Sequence, residues 1–229
     1  MESDLVRNIN DIKMRISAAA RKGGLSAEDI DLVAVTKTVN PDRINQAIQH
    51  GIKIIGENKI QEAKDKFTQI NYPVKKHMIG HLQRNKVKYA VKMFDMIQSV
   101  DSLPLAEEIN KRTEIKMPVL LEVNTSDESS KFGCNPDEAI NLLKLVAQLP
   151  SLEVNGFMTI GLFTDDTEKV RPCFRILKDI YNEALSLDLP NANISVLSMG
   201  MTSDFETAIE EGANMVRIGT AIFGPRPIN

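Results

Sequence analysis

The chain has 229 residues, of which 42% are hydrophobic and 26% are charged, and its formal net charge is −3. This size and composition suit a soluble globular protein of one or two domains, and the small negative charge argues against a general nucleic-acid-binding surface. No apolar run approaches the roughly 20 residues that a membrane-spanning helix needs, and the acidic segment MESDLVRNIND does not have the pattern of a secretory signal.

The first half of the chain alternates helical patterns with short apolar runs. Apolar residues recur at helical spacing over residues 5–19 and stop before Gly23–Gly24, which predicts an N-terminal helix. The run DLVAVTK precedes a helix that begins at Pro41, with Asn40 as its N-cap. The runs IKIIGEN, KKHMIGH and MIQSV each precede another helical pattern, and the last of these helices is expected over residues 101–116.

The second half continues the alternation. MPVLLEVN, LEVNGFMTI and NISVLSMG each precede a helix, and NMVRIG closes the series with no helix predicted after it. The eight runs are almost continuously apolar, as expected when helices cover both faces of a parallel sheet. The pattern predicts an α/β fold, a single (β/α)8 TIM barrel over residues 1–229, in which the additional N-terminal helix covers the gap after strand eight. An open, doubly wound sheet is the competing architecture.

A lysine stands at the end of the first predicted strand. In a TIM barrel the functional side chains lie at the carboxyl ends of the strands, where Lys37 would sit. Lys37 could form a structural ion pair or extend to water. Alternatively, its amine would lose its charge more readily in a dry cavity and could form a Schiff base with an aldehyde.

Two loops rich in glycine and hydroxyl residues follow strands seven and eight, in SMGMTSDFETAI and VRIGTAIFG. Glycine permits a close approach to the backbone, and hydroxyls and free N–H groups at a helix start can bind an anion, although each loop could be an ordinary helix cap. Together with Lys37 they indicate an aldehyde that carries a phosphate, namely pyridoxal 5′-phosphate (PLP). Arg217 would either form an ion pair, with Glu57 or Asp204, or contact the pyridine nitrogen of PLP, where it would weaken the ring as an electron sink.

The chain resembles the pyridoxal phosphate homeostasis proteins in segments spread over nearly its whole length: LVAVTKT, GENKIQEA, HMIGHLQRNKVK, IQSVDSL, LLEVNTSDESSKFG, GFMTIG and LSMGMTSDFETAIEEGANMVRIGTAIFG. This resemblance implies a PLP-binding barrel like the N-terminal domain of alanine racemase. In such a barrel PLP would be covalently bound to Lys37, and Arg217 would face the nitrogen of the PLP ring. The residues implied around the phosphate are Ser198, Thr202 or Ser203, Gly219 and Thr220. Further candidates for the pocket lining are Asn58, His81 and Met199.

The function implied by the resemblance is PLP (vitamin B6) homeostasis, in which the protein carries PLP without established catalytic turnover. One alternative is a fold-type III PLP enzyme, such as a weak amino-acid racemase or a lyase, with Lys37 as its single base. A two-base racemase would also need a catalytic tyrosine, and Tyr72, Tyr89 and Tyr181 lie at no predicted strand end. The other alternative is an aldolase that forms a Schiff base with a phosphorylated substrate.

Other residues carry weaker signals. Cys134 and Cys173 lack metal-ligand spacing and are expected to be free thiols in a reducing cytoplasm. His77 and His81 are four residues apart, but at a strand end their side chains need not converge, so no metal site is expected. Lys131 is either an exposed loop lysine or a second amine that accepts PLP. We expect a cytoplasmic monomer whose partners are PLP and PLP-dependent apoenzymes. We expect it to bind neither nucleic acid nor a membrane.

Overall fold

The computed structural model describes residues 3–126, 128, 131–162, 164 and 166–225. Its strands are β1 (Asp31–Val35), β2 (Ile54–Glu57), β3 (Lys75–Met78), β4 (Met96–Val100), β5 (Met117–Glu122), β6 (Leu152–Met158), β7 (Ala192–Ser198) and β8 (Met215–Ile218). Neighbouring strands are parallel, and β1 also pairs with β8, so the sheet closes into an eight-stranded barrel. The predicted TIM barrel is confirmed, and the open sheet is excluded. Of the predicted span 1–229, both ends, 1–2 and 226–229, lie outside the described residues.

The α-helices of the described residues form the outer layer. They are α1 (Asp4–Lys22), α2 (Pro41–Gln49), α3 (Ile60–Phe67), α4 (Val87–Met93), α5 (Leu103–Arg112), α6 (Ala139–Val146), α7 (Thr167–Leu185), α8 (Phe205–Glu210) and α9 (Thr220–Phe223), with 3-10 turns at Ala27–Asp29, Arg84–Lys86 and Pro136–Glu138. The predicted start of α2 is confirmed, because the side chain of Asn40 accepts a hydrogen bond from the N–H of Asp42. Within the described part of the chain, no helix has the length and apolar character to cross a membrane.

Two helix predictions were wrong. The helix after β4 ends at Arg112 rather than at residue 116, because Thr113 is extended and its hydroxyl accepts a hydrogen bond from the N–H of Ile115. In addition, the short helix α9 follows β8, where no helix was predicted. Its four residues, TAIF, are too few to show a helical period in the sequence.

The N-terminal helix α1 completes the outer layer beside α8 and α9. Its apolar face, which includes Ile9 and Ile12, is buried in the main hydrophobic core. The amide of Asn8 donates to the carbonyl of Ile222 in α9 at 3.1 Å, and Arg15 pairs with Glu206 in α8 at 2.7 Å. The expectation that this helix covers the barrel beside strand eight is therefore confirmed.

The interior of the barrel contains both apolar and polar residues. Val33, Ile54 and Met215 form a small apolar cluster that is separate from the main core between sheet and helices. Gln98 on β4 donates from its amide nitrogen to Nδ1 of His77 on β3 at 2.9 Å. Side-chain hydrogen bonds therefore link neighbouring strands inside the barrel. Gln98 also accepts a hydrogen bond from Ser198, the last residue of β7.

Candidate functional site

A cavity of about 570 Å³ lies at the carboxyl ends of β1 and β8 and beside the loop after β7. It brings together six of the predicted site residues: Lys37, Thr202, Ser203, Arg217, Gly219 and Thr220. The other lining residues are Val35, Thr38, Val39, Asn40, Arg43, Thr164, Met201, Phe223, Gly224 and Pro225. The cavity thus presents an amine, two guanidinium groups and several hydroxyls to one ligand-sized space.

Lys37 follows β1 by two residues and is only partly buried. The next residue, Thr38, has a φ of +62°, in the left-handed region that a β-branched residue rarely adopts. Such a conformation costs roughly 1–3 kcal/mol and persists only where the surrounding structure holds it. Here the carboxylate of Glu62 on α3 accepts a hydrogen bond from the N–H of Thr38. A strained and tethered backbone beside a cavity lysine indicates a functional loop.

Arg217 projects from β8 into the barrel and is 4% exposed. Its Nη1 donates to Oγ of Ser198 at 2.7 Å, and its Nη2 donates to the carbonyl of Thr159 at 2.7 Å. The hydroxyl of Ser198 in turn donates to Oε1 of Gln98 at 2.8 Å. Arg217 is therefore fixed from two sides, by β7 and by the end of β6, while it still lines the cavity.

Burial changes the ionisation of the groups around Arg217. Burial lowers the pKa of Arg217 to about 10, against the opposing effect of the carboxylates of Glu122 and Asp204. Burial raises the pKa of Glu122 to about 7, with a further rise from Asp101 and an opposing effect from Arg217. At neutral pH Arg217 is a cation, and burial favours the neutral form of Glu122.

The loops after β7 and β8 provide backbone donors at the rim of the cavity. Within the described residues, no acceptor takes the backbone N–H groups of Thr202, Ser203, Gly219 or Thr220. The first of these loops is held by Asp204, whose Oδ1 accepts from the N–H of Met201 at 2.6 Å. At Gly219, an added Cβ would lie 3.3 Å from the carbonyl oxygen and Cβ of Val35, so the close approach of β8 to β1 favours glycine. N–H groups without acceptors, together with hydroxyls, suit a phosphate.

The other four predicted site residues do not line this cavity. Ser198 lies fully buried behind Arg217, and Met199 is a core residue without exposed surface. His81 stacks on Phe132 with ring centroids 3.7 Å apart, and the Oδ1 of Asn58 is buried without a hydrogen-bond partner among the described residues. Ser198 accepts a hydrogen bond from Arg217, so it contacts a lining residue and not the cavity itself. Ligand contacts by the other three residues stay predictions.

Sequence reasoning missed Arg43 and Phe223, which line the cavity from α2 and α9. The signal for Arg43 was its position in the first turn of the helix that follows Lys37. Phe223 had no comparable signal, since the helix that carries it was not predicted. Lys131 lies apart from the cavity lining, and its Nζ is bound to Oε1 of Glu128 at 2.8 Å and to the carbonyl of Gly161 at 2.9 Å.

Known proteins are similar to this chain over nearly its whole length. Residues 10–227 match the family model described as alanine racemase, N-terminal domain. A protein of Pasteurella multocida named pyridoxal phosphate homeostasis protein is 40% identical over 226 residues, which cover 96% of this chain and 97% of the relative.

Two solved structures are also similar. A crystal structure of an unknown protein from Bifidobacterium adolescentis is 36% identical, with a TM-score of 0.92, over 97% of this chain and 98% of the other. The structure of PipY from Synechococcus elongatus PCC7942 with PLP bound is 26% identical, with a TM-score of 0.81, over 96% of this chain and 100% of the other. These matches confirm the resemblance that the sequence motifs indicated. The chain belongs to the alanine racemase N-terminal domain family and, within it, to the pyridoxal phosphate homeostasis proteins.

Proposed function

We propose that the cavity binds PLP, that Lys37 joins it as a Schiff base, and that the protein acts in PLP homeostasis as a carrier. The observation that carries this proposal is the convergence of a strand-end lysine, a fixed arginine and two N–H-rich loops on one cavity. The names of the relatives and the PLP in the PipY structure support the same ligand.

The residues present fit the parts of PLP. The rim loops offer N–H groups and hydroxyls to the phosphate, from Thr202, Ser203, Gly219 and Thr220. Arg217, a cation at neutral pH, would donate a hydrogen bond to the pyridine nitrogen and leave that nitrogen unprotonated. The cavity volume of about 570 Å³ is within the range of small-molecule sites.

The covalent step requires only the amine of Lys37 and the aldehyde. The neutral amine attacks the aldehyde carbon and forms a carbon–nitrogen bond. The aldehyde oxygen then leaves as water with the two amine hydrogens, and a C=N double bond remains. Water is the by-product and no redox partner is needed, so the bond can reverse by hydrolysis. A reversible bond suits a protein that holds PLP and later releases it.

A carrier role fits this cavity better than a two-base racemase. When bound, PLP supplies an electron sink for reactions at amino acids, and an arginine at the ring nitrogen weakens that sink. Among the described residues, the lining contains no tyrosine or histidine that could act as a second base. The three tyrosines lie before β3 (Tyr72), on α4 (Tyr89) and on α7 (Tyr181).

The proposal also includes the domain organisation, the location and the partners of the protein. We infer a single PLP-binding domain over residues 1–229, acting as a cytoplasmic monomer. Its partners would be PLP itself and PLP-dependent apoenzymes that receive the cofactor. A carrier with a reversible covalent bond requires such acceptors, since release into water would leave a reactive aldehyde free.

The test is reduction of the PLP-loaded protein with borohydride, followed by mass mapping of its peptides. We expect a phosphopyridoxyl group on Lys37, and we expect Lys37→Ala to lose the adduct and to weaken PLP binding at least about tenfold. Lys88→Ala, on an exposed face of α4, is the control and should behave as wild type. The proposal fails if no adduct forms on Lys37, or if Lys37→Ala binds PLP as tightly as the wild-type protein.

A further inference from the structure

Three charged side chains lie together behind the loop that carries Lys37. Glu57 is at the end of β2, and Glu62 and Lys66 are one turn apart on α3. The Nζ of Lys66 is 2.9 Å from Oε1 of Glu57 and 2.7 Å from Oε1 of Glu62. Lys66 is 8% exposed and Glu57 is fully buried. Buried charges are costly unless they are paired and hydrogen-bonded, so this cluster requires a structural or functional reason.

The cluster reaches the backbone on both sides of Lys37. On the N-terminal side, Lys66 donates to the carbonyl of Thr36, and the hydroxyl of Thr36 donates to Oε1 of Glu57 at 2.7 Å. On the C-terminal side, Oε1 of Glu62 accepts from the N–H of Thr38. The ammonium group has three hydrogens and three acceptors, namely Thr36, Glu57 and Glu62.

This arrangement holds a conformation that the local sequence does not favour. Thr38 has a φ of +62°, which a β-branched residue adopts only under constraint. Its N–H is fixed by Glu62, and Glu62 is fixed by Lys66. If the tether were removed, Thr38 could return to a common backbone conformation. That change would rotate the peptide that follows Lys37 and alter the direction of its side chain.

The pKa values of Glu57 and Glu62 are shifted in opposite directions, in agreement with this arrangement. Burial alone would raise the pKa of Glu62, but the hydrogen bonds from Lys66 and from the N–H of Thr38 lower it below its usual value. For Glu57, burial outweighs Lys66 and Thr36 and raises the pKa. The hydrogen bonds of this arrangement therefore favour the charged form of the carboxylate that tethers Thr38.

We propose that Glu62 and Lys66 are positioning residues, which hold the backbone on both sides of Lys37 so that its amine meets the aldehyde in the cavity. This inference rests on the proposed Schiff base. Neither residue lines the cavity, so neither would contact the ring or the phosphate. Their effect should appear in the formation of the covalent bond and not in the recognition of the rest of the ligand.

The experiment compares two ligands. PLP carries the aldehyde, whereas pyridoxamine 5′-phosphate has the same ring and phosphate without it. We expect Lys66→Met to slow the appearance of the Schiff-base absorbance, and to weaken PLP binding, by about tenfold or more, the size of a lost hydrogen bond to a charged group. Binding of pyridoxamine 5′-phosphate should stay within about twofold of wild type, because the ring and phosphate contacts are unchanged. Lys64→Met, an exposed lysine on the same helix, should match wild type with both ligands.

Glu62 provides a second pair of variants, needed because Lys66→Met could fail to fold with two carboxylates left unpaired. Glu62→Gln keeps an oxygen that can accept from Thr38 and should form the Schiff base at close to the wild-type rate. Glu62→Met removes that acceptor and should resemble Lys66→Met. The side chain of Glu62 is 25% exposed, so this substitution leaves less buried charge unpaired. If Glu62→Gln forms the Schiff base at close to the wild-type rate and Glu62→Met does not, the effect is due to positioning of the backbone and not to a general loss of stability.

The outcomes distinguish this inference from the proposed function. If wild type forms the adduct on Lys37 and Glu62→Met forms it equally fast, the positioning role is wrong while the Schiff base stands. The same conclusion follows if Glu62→Met binds both ligands more weakly by the same factor, since that is a general structural effect. If wild type itself forms no adduct on Lys37, the proposed function fails first.

Discussion

His77 and Glu122 are both buried inside the barrel, and burial shifts their pKa values in opposite directions. Burial, with a smaller effect from Lys75, lowers the pKa of His77 to about 4. The unfolded chain then binds the proton more readily, so the His77 contribution to stability rises as pH rises from about 4 to 6.5. For Glu122, with a pKa of about 7, the folded state binds the proton more readily. Its contribution is complete below about pH 4.5 and is lost as pH rises to about 7.

Glu122→Gln should therefore change how stability depends on pH. A neutral glutamine does not ionise in the buried site, so the variant should lose less free energy of unfolding than wild type between pH 4.5 and pH 8. The expected difference is about 3 kcal/mol, because the pKa of this carboxyl is raised from its usual value to about 7. Urea unfolding of the PLP-free proteins at both pH values measures it, and the His77 contribution cancels because both proteins contain that residue. Parallel pH dependence in the two proteins would contradict the raised pKa.

The turn between β7 and α8 depends on a glycine. Gly200 has a φ of +93°, and an added Cβ would lie 2.5 Å from Cβ of Ala208 and 2.9 Å from Cα of Phe205. The turn carries Thr202 and Ser203, two of the proposed phosphate ligands. Close packing on α8 therefore places these donors at the rim of the cavity.

Gly200→Ala should lower both stability and ligand affinity. We expect a loss of about 2 kcal/mol, from backbone strain and from overpacking against α8, and weaker binding of pyridoxamine 5′-phosphate because the donors move. Gly24→Ala is a suitable control, since Gly24 has a φ of +71° but no atom within 4 Å of the added Cβ. It should cost less stability and leave affinity unchanged. Thermal unfolding and ligand titration of both variants test this, and unchanged affinity in Gly200→Ala would count against the phosphate site.

Elements with strong local signals could be predicted from the sequence, and those fixed by tertiary contacts could not. The run MIQSV corresponds to all of β4, and the cap at Asn40 was recognised because a side chain marks it. The end of α5 was missed because the extended backbone at Thr113 has no glycine or proline to mark it.

The same distinction applies to the candidate site. Lys37 and Arg217 were predicted because strand ends are visible in the apolar pattern. Lys66 was missed because lysines on a helix are usually exposed, and its only signal was Glu62 one turn earlier. Its burial depends on Glu57 at the end of β2 and on the carbonyl of Thr36, which follows the neighbouring strand β1. The contact with Thr36 depends on the pairing of β1 with β2 and cannot be deduced from local spacing.

The N-terminal helix α1 is an integral part of the barrel. Its apolar face is buried in the main core, and polar contacts join it to α8 and α9, the helices that follow the two rim loops. A helix packed in this way should unfold together with the rest of the protein, because separating it would expose a continuous apolar face.

Ile9→Ala should therefore destabilise the entire fold. Ile9 is fully buried, and loss of its side chain leaves a cavity between α1 and the barrel, with an expected cost of about 2–5 kcal/mol. Met14→Ala, on the same helix but 65% exposed, should change stability by less than about 0.5 kcal/mol. Urea unfolding should show a single transition in both variants, with a lower midpoint and an unchanged slope for Ile9→Ala. If α1 were independent of the barrel, the main transition of Ile9→Ala would stay at the wild-type midpoint.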